Sequence, residues 1–289
     1  MKRQPAAAFF AAAALLLGGA AAAALAQRSG SAAARQGALA AAIAAPSRTP
    51  ANVARDRYRH PLETLSFFGV RPSDTLVEIW PSGGWYTEVL APYLARGGGR
   101  YYAASMGTNG NDGMRRMMAA NPALYGAIVP VAFPAWEPSE PRVPDGSADV
   151  VLTFRNVHNW LVGYRRDRHP YAEEAFRQMF AMLRPGGTLG IEDHRLPEGA
   201  DPAREGSSGY VKVSTVRRLA EAAGFRFVGA SEINANPRDT ADWPEGVWTL
   251  PPTYQLGDRD RARYAAIGES DRMTLRFVKP AAPLTRRRR

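Results

Sequence analysis

The chain has 289 residues, no Cys and a formal net charge of +10. It is long enough to bury a full core, and the absence of thiols excludes a disulfide framework, a lipoprotein anchor and a thiolate metal site. Lys2, Arg3 and the run Arg286 to Arg289 place much of the positive charge at the two ends, and the scattered remainder makes no nucleic-acid footprint.

Residues 1–26 read as an export signal. Basic Lys2 and Arg3 precede an apolar Ala/Leu run from Ala6 to Ala24, and Ala24-Leu25-Ala26 places a cleavage before Gln27. An uncleaved anchor is the alternative, because the run is nearly long enough to span a bilayer. A periplasmic or otherwise exported location is therefore expected. Residues 27–49 are Ala/Gly/Ser-rich and read as a low-complexity linker. Residues 50–280 are expected to form one domain, and 281–289 a basic tail suited to peripheral contact with an anionic membrane.

Within the domain, Pro50 to Phe68 reads as a helical lead-in stopped by Gly69. Thr75 to Ile79 is a short apolar run suited to a buried strand, followed by a turn at Pro81-Ser82-Gly83-Gly84. Trp85 to Ala95 has helical character, with Pro92 expected to kink or shorten it. Further strands are expected over Arg100–Ala104, Ala127–Phe133, Ala148–Phe154, Thr188–Glu192, Phe225–Ile233 and Met273–Val278. Helices are expected over Tyr171–Leu183 and over Ser214–Ala223, the latter stopped by Gly224. This alternation predicts an α/β fold with a doubly wound, mostly parallel sheet and helices on both faces. Ligands of such sheets bind beyond the carboxyl ends of the strands, at the point where strand order reverses, which directs attention to the residues after Ile79, Phe154 and Ile191. Between the last two strands, Trp243, Trp248 and Tyr254 lie in a segment too long for an ordinary connection. It is expected to form a lid or substrate wall, or to cover a sheet edge.

Three stretches carry a resemblance. Val77-Glu78-Ile79-Trp80-Pro81-Ser82-Gly83-Gly84 resembles the first motif of class I S-adenosylmethionine (SAM) methyltransferases, an acid at a strand end followed by a Gly-rich turn. Gly146 to Trp160 is similar to their fourth-strand motif, and Met182-Leu183-Arg184-Pro185-Gly186-Gly187 through Asp193-His194 to the segment that follows. More narrowly, the region from Tyr58 to Lys279 resembles exported bacterial predicted methyltransferases, through Arg55 to Pro61, Gly83 to Glu88, Asn234 to Pro237 and Trp243 to Trp248. The resemblance implies a Rossmann-like, seven-stranded sheet whose last strand is antiparallel, SAM as cofactor, and methyl transfer to a small molecule. It implies a cofactor site at Glu78, Pro81, Ser82, Gly83, Gly84, Tyr86 and Asn156. This sequence departs from the pattern at Trp80 and Ser82, where glycines are common, and it has no acid after the second strand, where Ser105 stands.

His158, His194 and Asp193 fall at expected strand ends. His158 is the first choice as a base that takes a proton from the acceptor, and each His has a structural hydrogen-bonding role as its alternative. Tyr58, Arg59, His60, Arg155, Trp160 and Trp248 are the candidate substrate residues, with Arg59 and Arg155 suited to an acidic group. No close-spaced ligand pair supports a metal site among His60, His158, His194 and Asp193, and none is expected. The alternative functions are a non-catalytic exported binding protein that keeps the fold, and a metal-dependent hydrolase.

Overall fold

A computed structural model describes residues 32–107 and 109–281; the expected export signal at residues 1–26 and the run Arg286 to Arg289 lie outside them. Residues 32–43 form a helix (α1). The lead-in is three short helices, α2 (Pro50–Val53), α3 (Asp56–Arg59) and α4 (Pro61–Phe68), the last stopped by Gly69 in the left-handed region. The alternating part runs β1 (Thr75–Ile79), α5 (Thr87–Gly97), β2 (Arg100–Ser105), α6 (Asp112–Ala120), α7 (Pro122–Tyr125), β3 (Val129–Ala132), β4 (Ala148–Phe154), α8 (Val157–Leu161) and α9 (Ala172–Met182). It closes with β5 (Leu183–Leu196), β6 (Val211–Lys212), α10 (Val213–Ala222), β7 (Arg226–Ser231), α11 (Arg261–Ile267) and β8 (Arg272–Val278).

The sheet order is β3-β2-β1-β4-β5-β8-β7, with the short β6 paired to β5. Strands β1 to β5 pair in parallel, whereas β8 runs antiparallel to both β5 and β7. Alternate residues of the central strands feed two cores. Val77, Ile79 and Val151 pack on the face covered by Phe176, Met179 and Leu219 of α9 and α10. Leu76, Val150 and Leu152 pack on the other, with Leu65, Phe68, Val89 and Leu90 of α4 and α5. Gly190 on β5 allows this closeness: a Cβ there would meet the Phe68 ring at 2.7 Å.

One expectation is corrected and another is narrowed. The stretch read as a linker contains α1, whose Leu39 and Ala42 lie on one helical face and are buried in the second core. Of the two outcomes expected at Pro92, shortening does not occur, since α5 continues through it to Gly97. Among the described residues no helix is long and apolar enough to cross a membrane.

Candidate functional site

β1 has β2 on one side and β4 on the other, so strand order reverses between β1 and β4. A cavity of about 1050 Å³ opens there, at the carboxyl ends of the parallel strands. Trp80 and Ser82 line it after β1, Ser105 at the end of β2, and Phe154, Arg155 and Asn156 at the end of β4. Trp80, Ser82 and Arg155 hold φ of 51°, 51° and 63°. The left-handed region costs a non-glycine residue on the order of 1–2 kcal/mol, so backbone strain is concentrated on this rim. The Trp80 indole donates to the Phe133 carbonyl at 2.9 Å, just beyond β3, and thereby crosses the end of β2.

Behind the rim stand His158, on the first turn of α8, and Asp193 and His194, near the end of β5. His158 Nδ1 lies 2.8 Å from Asp193 Oδ1, and the His158 backbone N–H donates to Asp193 Oδ2 at 3.3 Å. Asp193 Oδ1 also accepts from the His194 backbone at 2.8 Å. A carboxylate only accepts, so it draws the His158 proton to Nδ1 and leaves Nε2 with its lone pair. His194 Nδ1 is 2.5 Å from Ser270 Oγ. Burial, and then His158, Arg155, Arg272 and Arg59, hold His194 well below the usual imidazole pKa. The Trp248 ring stands 6.4 Å from the His158 ring and is 38% exposed.

Below the histidines lies a buried ionic network. Arg272 pairs with Glu192 at 3.0 Å and with Glu269 at 3.2 Å, and it donates to the Tyr58 carbonyl. Glu269 also pairs with Arg55 at 2.6 Å and Arg59 at 3.3 Å. Burial works to raise the Glu269 pKa, but Arg59, Arg272 and Arg55 overcome it and hold the carboxyl at about 2. Burial lowers Arg59 to about 9, helped by Arg155. Tyr86 donates to Glu192 at 3.1 Å and stacks on Phe154.

Of the candidate residues, His158, His194, Arg155, Asn156, Ser82 and Trp248 face the cavity, and Asp193 supports them from full burial. Others are placed elsewhere. Glu78 accepts from Tyr101 and Thr87 inside the core, and burial lifts it to about 7. Pro81 is buried, and Gly84 packs against Met117, where a Cβ would stand 2.7 Å from the methyl. Tyr86 and Arg59 are committed to the ionic network. Tyr58 and His60 open onto a second cavity of about 610 Å³ on the far side of Glu269 and Ser270. Trp160 is fully buried between Phe133 and Phe176, so it belongs to the core and not to a substrate surface. Glu269, Ser270 and Arg272 were not singled out in the sequence. The polar run Glu269-Ser270-Asp271-Arg272 ahead of an apolar strand was their only signal.

His158, Asp193 and His194 bring one ligand atom each within 4.8 Å of one another, although nothing in their spacing announces it.

No protein-family model and no curated protein matches the chain. Solved structures do. A SAM-dependent methyltransferase from Aquifex aeolicus gives a TM-score of 0.51 at 14% identity, over 78% of this chain and 93% of its own. A putative sarcosine dimethylglycine methyltransferase from Galdieria sulphuraria gives 0.50 at 12% identity, over 80% of this chain and 85% of its own. Phosphoethanolamine N-methyltransferase 2 of Haemonchus contortus, in complex with SAM, gives 0.51 at 15% identity, over 77% of this chain and 53% of its own. The chain therefore has the Rossmann-like fold of these methyltransferases.

Proposed function

We propose that the protein is a SAM-dependent methyltransferase whose small-molecule acceptor loses a proton to His158. The observation that carries this reading is the Asp193–His158 pair at 2.8 Å, opening onto the switch-point cavity of a methyltransferase-type fold. The cavity's residues fit a small polar cofactor. Gly83 is exposed and does not line the cavity. Asn156 uses its amide N–H groups on the Ile79 carbonyl at 3.0 Å and on Thr153 at 3.2 Å, leaving its carbonyl oxygen for an ammonium. Of the cavity's own residues, Ser82, Ser105 and Asn156 would hold the cofactor, which supplies an activated methyl group on a sulfonium. The protein aligns the acceptor and excludes water. His158 Nε2 takes the proton, and Asp193 holds the ring and stabilises the imidazolium.

A second reading, a binding protein that keeps the fold without the chemistry, is favoured by Trp80 across the end of β2 and by Ser105 in place of an acid. Calorimetric titration of the protein with SAM and S-adenosylhomocysteine separates the two. Micromolar binding, with transfer of label from methyl-labelled SAM to a screened acceptor pool, is expected. No binding at millimolar SAM would overturn the enzyme reading and leave the second.

A further inference from the structure

We infer that Arg155 is an anion anchor, and that the cavity takes the carboxylate of a small molecule with a largely apolar body. As the identity of the methyl acceptor, this rests on the proposed function; as a binding site, it stands alone.

Arg155 follows β4, and its backbone N–H donates to the Glu192 carbonyl at 2.7 Å. Its φ of 63° belongs to the turn that leaves the half-buried side chain on the cavity wall. The guanidinium makes no hydrogen bond or ion pair with any described residue. Such a group taken partly out of water wants a partner, and burial does lower its pKa.

The acids around it are already claimed. Glu192 is held by Arg272 and Tyr86, and Glu269 by Arg55, Arg59 and Arg272. Asp193 is taken by His158 and two backbone N–H groups. Set against Glu192, Glu269 and Asp193, the guanidiniums of Arg55, Arg59, Arg155 and Arg272 leave one positive charge in excess, and Arg155 is the one without a contact. Arg165, Asp167 and Arg168 on the same cavity add a further basic excess, which draws anions towards it.

The one guanidinium of the buried network left without a contact matches a monoanion, and its planar fork matches a carboxylate with paired hydrogen bonds. Trp80, Phe154 and Trp248 line the same cavity and suit an aromatic or aliphatic body. Arg155 and His158 line the same cavity and both act on His194, so an acid anchored at one faces the base at the other.

Calorimetry with benzoate, its neutral isostere benzamide, and phenyl phosphate tests the inference, with no methyl donor present. Because no donor is used, the outcome is independent of whether SAM binds or turns over. Benzoate is expected to bind about tenfold or more tighter than benzamide, as loss of a charge-assisted hydrogen bond implies. Arg155→Gln should erase that preference and Arg155→Lys retain part of it. Equal binding of benzoate and benzamide, or no binding of benzoate, overturns the inference. So does a preference that survives Arg155→Gln, and a tenfold preference for phenyl phosphate overturns the monoanion. The comparison of ligands on the unmutated protein decides whether the cavity prefers a carboxylate, and whichever of the two variants folds decides whether Arg155 provides that preference.

Discussion

His158 depends on one neighbour for its chemical identity. With Asp193 Oδ1 at 2.8 Å from Nδ1, the imidazole presents Nε2 as an acceptor. An Asn at position 193 could offer an N–H to Nδ1 and reverse the tautomer. Asp193→Asn is therefore expected to lower the turnover of methyl transfer by about 10²–10⁴-fold, with little change in KM. His158→Gln should cost a similar factor, and the double variant no more than either alone, because the pair acts as a unit. Steady-state kinetics on the three variants check this; additive losses would separate the two residues. These residues were legible in the sequence because each follows an apolar run, Ala148 to Phe154 for His158 and Thr188 to Glu192 for Asp193. Glu269, Ser270 and Arg272 were not, for a topological reason. β8 runs antiparallel to β5, with His194 opposite Arg272, so its beginning meets the ends of the parallel strands. Polar residues that enter a strand were thereby delivered to a site built from residues that leave strands.

The loop between β1 and α5 stores strain that sequence could indicate only as missing glycines. Ser82 is exposed, at φ 51°, with its hydroxyl 3.3 Å from the Trp80 carbonyl. Ser82→Gly relieves the left-handed strain and adds unfolded-state entropy, so stability should stay level or rise by up to about 1 kcal/mol. Ser82→Val should cost about 1–2 kcal/mol, since a β-branched side chain tolerates that region worst. Urea unfolding of both variants reads the difference, and coincident curves would mean the loop is free to leave this conformation. The strands themselves were legible, because residues buried on both faces read as continuous apolar runs. The helix at residues 32–43 was hidden by its composition: an Ala-rich segment looks like a linker, yet Ala is the best helix former. The packing of Leu39, 2% exposed, and of Ala42, 1% exposed, distinguishes the two. Leu39→Ala is expected to destabilise the fold by about 2–4 kcal/mol, measurable by the same unfolding experiment, whereas a loose linker would show no change.

Across the molecule, two buried groups titrate against each other. Glu78 sits in the core among Tyr101 and Thr87, and burial raises it from 4.5 to about 7. The folded state thus keeps a proton that the unfolded chain has lost, and this contribution to stability disappears as pH rises from about 4.5 through 7. His194 does the opposite. Burial, His158 and the arginines hold it well below 6.5, so the unfolded chain takes up a proton that the folded state refuses, and stability falls as pH drops below 6.5. Between pH 5 and 6.5 the two slopes have opposite signs and similar size, at most about 1.4 kcal/mol per pH unit each. Removing one should expose the other. Glu78→Gln keeps an acceptor for Tyr101, and relative to the unmutated protein its stability should rise by roughly 1–2 kcal/mol from pH 5 to 6.5. His194→Gln should fall by a similar amount over the same window. Urea unfolding at the two pH values gives both differences directly. Parallel curves for all three proteins would show that neither group titrates between folded and unfolded states. The two groups also lie in different surroundings, Glu78 in the core between β1 and α5 and His194 beside the arginine network. Site and core can therefore be titrated apart, and the His194 slope should change when benzoate occupies Arg155 while the Glu78 slope should not.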